Sequence, residues 1–78
     1  MSKLYIKYHK DGSVWVKGYT KKDIPTGYWE WFRKDGTKMR SGNFKDGKQV
    51  GEWITYDRTG QVYKISTMDK NQSQSINL

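Results

Sequence analysis

Residues 27–36 read GYWEWFRKDG, and residues 51–60 read GEWITYDRTG, 24 positions further on. In that frame Gly27 falls on Gly51, Trp29 on Trp53, Phe32 on Tyr56 and Gly36 on Gly60. Moved back toward the N-terminus, the frame sets Tyr5 on Trp29, Tyr8 on Phe32, Lys10-Asp11-Gly12 on Lys34-Asp35-Gly36, and Gly18 on Gly42. Self-similarity at a fixed period is the mark of a repeat architecture. The match decays in the last unit, where Ser66 replaces the glycine and Met68 stands in for Phe44.

The local signals around these positions are those of β-hairpins. Lys10-Asp11-Gly12, Lys34-Asp35-Gly36 and Arg58-Thr59-Gly60 each separate runs rich in aromatic and β-branched residues. A short loop containing a glycine free to take positive φ is what a hairpin requires. The sequence predicts strands at Tyr5–Tyr8, Val14–Tyr19, Tyr28–Arg33, Thr37–Phe44, Trp53–Asp57 and Val62–Thr67. Helix is disfavoured, because the chain has no alanine and glycines interrupt it repeatedly before the C-terminal stretch. Residues 21–27 and 45–51 read as equivalent loops between hairpins, with Pro25 placed in a loop rather than in a ladder. Gly18 and Gly42 are expected at strand ends, at a bulge or a close approach of backbones.

The expected fold is all-β: about three stacked hairpins in one extended, twisted antiparallel sheet. It divides the chain into a repeat domain at 1–68, with units of about 5–28, 29–52 and 53–68, and a polar tail at 69–78. That tail is expected to be flexible and frayed, or else to dock a short strand or helix through Ile76 and Leu78.

Composition fits a thin core. The chain has 78 residues, of which 33% are hydrophobic and 15% aromatic, so rings rather than aliphatics must fill the interior. Cysteine is absent and His9 is the sole histidine, which leaves neither disulfides nor a structural zinc site to staple so small a chain. No apolar run reaches the length of a signal peptide or a membrane helix, so the cytoplasm is the default location.

The residues quoted above resemble the MORN-repeat family, and more closely its bacterial variant, whose units read like G-x-W-x-x-Y-x-x-x-G. The likeness covers about residues 5 to 65, and Gly42–Gly51 resembles that family's connection between units. It implies stacked hairpins in one sheet. For function it implies protein interaction: bacterial relatives carry antitoxin-like assignments, and eukaryotic ones are linked to scaffolding and to phospholipid contact. The first unit departs from the pattern, with Tyr5 and Tyr8 in place of the tryptophan and its partner ring. Units one and three read as caps, because the ends of an array must tolerate water.

The repeated positions Gly12, Trp29, Phe32, Gly36, Gly42, Gly51, Trp53, Tyr56 and Gly60 read as structural. Trp29 and Phe32 lie three apart, which breaks the alternation of a strand. Either a bulge sits between them or both faces of the sheet are partly buried. Trp31 aligns with Lys7 and Thr55, so the repeat does not require an aromatic there. It belongs either to the core or to an exposed binding surface, where Arg33, Lys38 or Arg40 would sit beside it. Trp15, Met39 and Tyr63 form one bulky column that is either core or a shared exposed stripe. Trp31, Arg33, Arg40, Trp15, Met39 and Tyr63 are therefore the candidate partner-binding residues.

Catalysis is not expected. There is no thiol, His9 sits beside a turn, and no two acids recur at a spacing that would set carboxylates facing each other. No cofactor or metal is expected either. The net charge is +7, from 15 Lys and Arg against 8 Asp and Glu. That balance points first to an interaction module for an acidic protein, with self-association as one version of it. The second reading is a binder of anionic lipid or nucleic acid through the lysines of the turns, Lys10, Lys21, Lys22, Lys34, Lys45 and Lys48.

Overall fold

The computed structural model describes residues 2–68, and the expected tail at 69–78 lies outside them. Six strands follow one another: β1 (Lys3–Tyr8), β2 (Val14–Lys21), β3 (Ile24–Phe32), β4 (Lys38–Lys45), β5 (Lys48–Tyr56) and β6 (Val62–Met68). They form one antiparallel sheet in the order β1-β2-β3-β4-β5-β6, so each strand pairs with its neighbours in sequence. Among the described residues there is no helix. The all-β array of hairpins expected from the 24-residue period is the fold of the chain.

Two kinds of turn alternate. At Arg33–Thr37 the Arg33 N–H donates to the Thr37 carbonyl at 2.9 Å and the Gly36 N–H donates to the Arg33 carbonyl at 2.9 Å. This three-residue loop puts Gly36 at φ 92, a conformation side chains resist. The same pair of bonds recurs at His9–Ser13 and Asp57–Gln61. The other connections are tighter than the sequence indicates. Lys22 and Asp23 take φ 53 and 67, and Asp46 and Gly47 take φ 51 and 85, which makes two-residue turns of the type that matches sheet twist. The expected loops at 21–27 and 45–51 are therefore mostly strand. Pro25 is a strand residue opposite Thr20, and its carbonyl accepts from the Gly47 N–H at 3.0 Å. Proline lacks a donor, not an acceptor, so it fits wherever its nitrogen is not asked to bond.

The pairing register assigns every strand residue to a face, because residues paired across a ladder share one. One lateral row runs Lys7, Val16, Trp31, Arg40, Thr55, Lys64 across all six strands. Next to it stand Tyr5 opposite Gly18, Trp29 opposite Gly42, and Trp53 opposite Ser66. We call this the indole face. The other side carries the row Ile6, Lys17, Glu30, Ser41, Ile54, Ile65, flanked by Tyr8, Phe32 and Tyr56. We call it the tyrosine face. Trp29 and Phe32 thus lie on opposite faces. The inserted residue of the local bulge is on the partner strand, where Trp31 pairs with Arg40 and Phe32 with Lys38, leaving Met39 unpaired.

The core sits on the indole face. Val16, Trp29 and Trp53 are its buried hydrophobic residues. A Cβ on Gly18 would lie 2.0 Å from the Trp29 ring, and one on Gly42 would lie 2.1 Å from the Trp53 ring. Each indole therefore lies flat against the bare backbone of the preceding strand. Its N–H finds a carbonyl there: Trp29 Nε1 donates to Tyr19 at 3.0 Å, and Trp53 Nε1 donates to Asn43 at 3.1 Å. Gly18 and Gly42 are inside strands, not at their ends; the ladder slips at each, as a bulge there would have it, and what approaches them is an indole rather than a backbone. Ser66 occupies the third such place, and position 77, where the period would put the next indole, is Asn.

Candidate interaction surfaces

The rings on the indole face form a continuous cluster. Trp31 lies 6.0 Å from Trp29 and 5.5 Å from Trp53 between ring centroids, and Phe44 meets Trp29 and Trp53 edge-on at 5.7 and 5.1 Å. Tyr5 extends this cluster to the β1 edge, 5.5 Å from Trp29. Edge-on and tilted pairs at these distances are the favoured arrangements of aromatic quadrupoles. Trp31 is half-buried among these rings, and Trp53 is only 2% exposed.

Arg40 is exposed on the same face, with its guanidinium carbon 5.0 Å from the centre of the Trp53 ring. Lys3 and Lys7 on β1 and Lys64 on β6 share this face and are also exposed. Among the described strands both acidic residues, Glu30 and Glu52, are on the other side. The indole face is therefore cationic and free of carboxylates along its described strands. Lys38, expected near Trp31, belongs to the tyrosine face. It forms an ion pair with Glu30 at 2.8 Å and lies 5.7 Å from the Tyr56 ring centre. The hydrogen bond to Glu30 holds its pKa above the ordinary lysine value.

Arg33 is spent on the fold. Its Nη2 donates to the Tyr56 carbonyl at 2.8 Å, and Nη1 donates to the Lys38 and Asp57 carbonyls at 3.1 and 3.2 Å. His9, one repeat earlier, does the same on a smaller scale, with Nε2 donating to the Phe32 carbonyl at 2.9 Å. One repeat later stands Asp57, which turns inward. Its Oδ1 accepts from Thr59 Oγ1, Thr59 N and Gln61 N at 2.6, 2.9 and 3.0 Å. Asp11 and Asp35 brace their own turns in this way through Ser13 and Thr37. Hydroxyl hydrogen bonds, then backbone N–H bonds, push the pKa of all three carboxylates below the usual value.

Trp15, Met39 and Tyr63 are the residues left unpaired in three equivalent bulges. Counted back from Val16, Arg40 and Lys64, they fall on the tyrosine face. Met39 is half-buried, Trp15 is exposed, and Tyr63 is 75% exposed. The column is thus a stripe whose ends open to solvent.

The tyrosine face carries exposed apolar side chains that composition does not single out. Leu4, Tyr8, Tyr19, Tyr28, Val62 and Ile65 are all large and exposed, and the register puts them on this one face. With Trp15, Tyr63 and Ile24, which pairs with Lys21 on the same face, they account for every large exposed hydrophobic residue of the described strands. The signal for them in the sequence is alternation: each is an immediate neighbour of a residue on the indole face, once the bulges are counted.

Among the described residues, no cluster of three or more His, Cys, Asp and Glu is placed to hold a metal ion. Nor is any helix among them long and apolar enough to cross a membrane. Comparison with family models, with curated proteins and with solved structures finds no match for this chain.

Proposed function

We propose that this chain is a non-catalytic protein-interaction module of MORN-like repeats, acting in the cytoplasm in a scaffold or antitoxin-like role. Its partner is an acidic protein that docks on the indole face. One observation carries the reading: Lys3, Lys7, Arg40 and Lys64 share a face whose described strands bear no carboxylate, while Glu30 and Glu52 lie behind it. A face of one sign draws an oppositely charged partner and rejects others. The edges of Trp31, Phe44 and Tyr5, all half-buried, supply apolar contact between the cations.

The same face argues against single-stranded nucleic acid as the partner. Sequence-tolerant binding of bases needs open ring faces on which to stack. Trp29 and Trp53 are buried, Trp31 is flanked by both, and Arg40 already lies over Trp53.

The test is affinity capture of the partner from the native cell, repeated with two charge-reversed variants. Lys7→Glu/Arg40→Glu is expected to lose an acidic protein that the unaltered chain retains. Lys10→Glu/Lys34→Glu, altered only in the turns, is expected to keep it. The reading fails if the turn variant loses the partner and the face variant does not. It also fails if anionic vesicles or single-stranded DNA are the only ligands bound at moderate salt.

A further inference from the structure

A sheet buries a face by packing it on another layer. This molecule is one layer: its principal extents are 47 × 33 × 15 Å. On the indole face the rings fold down and cover one another. On the tyrosine face they do not, and Tyr8, Tyr28 and Ile65 remain 58%, 44% and 53% exposed. Large apolar side chains gathered in the open on one face mark a contact.

We propose that the tyrosine face is covered by the tyrosine face of a second copy of this chain, giving a two-layered sandwich with both indole faces outward. The site is separate from the one assigned to the acidic partner and uses other side chains.

Three observations favour a second copy. The first is area. Six strands at about 4.8 Å spacing and about 26 Å long offer roughly 750 Å² per face, close to the ~800 Å² each partner buries in a standard interface. The second is shape, since two copies of one sheet face have the same pleat and twist and pack about 10 Å apart as sandwich layers do. The third is charge. At the centre of the face Glu30 already pairs with Lys38 at 2.8 Å and stands opposite Lys17 in the ladder. The Glu30–Lys38 pair is internally compensated before the second layer arrives, which leaves the exposed Lys17 as the one cation of that central row. Beside it a hollow of about 350 Å³, lined by Val14, Lys17, Glu30, Phe32 and Gly36, offers room for one side chain of the opposing layer.

The experiment is sedimentation equilibrium of the full chain at 1–200 µM (about two decades of concentration). The expected mass is twice 9.2 kDa at the upper end. Tyr28→Glu and Ile65→Glu each set a carboxylate on the seam, and each is expected to weaken the dimer about tenfold or more. Both side chains are exposed, so the far-ultraviolet spectrum is expected to stay that of a folded sheet; Leu4→Glu serves if either fails to fold. Lys7→Glu/Arg40→Glu is expected to leave the dimer intact, which separates this proposal from the acidic-partner reading. A monomer at every concentration overturns the proposal, as does a dimer indifferent to all three seam variants. Stoichiometric co-purification with a different protein, lost in Tyr28→Glu, overturns it as well.

Discussion

Gly42 and Gly51 show two separate reasons for a glycine. Gly51 takes φ 70 with open space where a Cβ would stand, so its demand is conformational. Gly42 has no such φ, and its demand is room: the Trp53 ring occupies the place of a Cβ. Trp53 is buried and tied to Asn43 through Nε1, so it has nowhere to go. Gly42→Ala is therefore expected to cost about 2–3 kcal/mol or more, the upper range for overpacking. Ser66→Ala, at the equivalent place with no indole above it, is expected to stay within about 0.5 kcal/mol. Urea denaturation of both variants at one protein concentration checks the pair, and equal effects would refute this steric account. The sequence shows the period of these glycines but not this distinction, because a missing Cβ looks the same whichever need it serves.

At the scale of the element, the hairpins are bolted together at their turns. Arg33 reaches from one turn to three carbonyls, two of them in the next hairpin, and His9 makes the corresponding reach. Bonds from a charged donor are worth about 1.5–3 kcal/mol, and the carbonyls left behind would lie close to solvent. Arg33→Ala is expected to lower stability by about 2 kcal/mol, with Arg33→Lys recovering part of it; chemical denaturation reads both. The turn aspartates add a pH dependence. Their folded pKa values are depressed, so they stabilise the fold above the unfolded value of 3.8. That contribution is lost as pH falls through the folded values, below about 4. The melting temperature is expected to drop between pH 5 and 2, and Asp35→Asn, which keeps the acceptor without the charge, is expected to flatten the slope. A variant slope as steep as the original would show that other groups titrate there. Arg33 has a place in the repeat, between His9 and Asp57, yet no pattern of one-letter codes says that the first two donate across hairpins and the third caps itself.

For the whole molecule, nearest-neighbour pairing makes stability a chain of local interfaces. Among the described strands β1 and β6 each have one neighbour, while β3 and β4 have two and share the clustered rings. Hydrogen exchange is expected to be fastest at the amides of β1 and β6 and slowest in β3 and β4. Uniform protection across all six strands would mean that the sheet opens as one unit. A sandwich of two copies raises protection on every strand but leaves this ranking, since edges remain edges.

The period, the aromatics and the turn glycines determined by themselves that the chain is an array of hairpins, because those features act through neighbours along the chain. Pairing register is not local in that sense. One inserted residue at Trp15, Met39 or Tyr63 flips the rest of its strand, and only the ladders show that the insertion beside Phe32 lies on β4, so that β3 alternates regularly and Trp29 and Phe32 take opposite faces. The same pairing brings the Lys38, Tyr56 and Asp57 carbonyls within reach of Arg33, which bonds all three. The ladders gather Lys3, Lys7, Arg40 and Lys64 on one side and the exposed apolar residues on the other. Which side chains are free to meet a partner follows from what the sheet has already used, and that emerges only when the strands are paired.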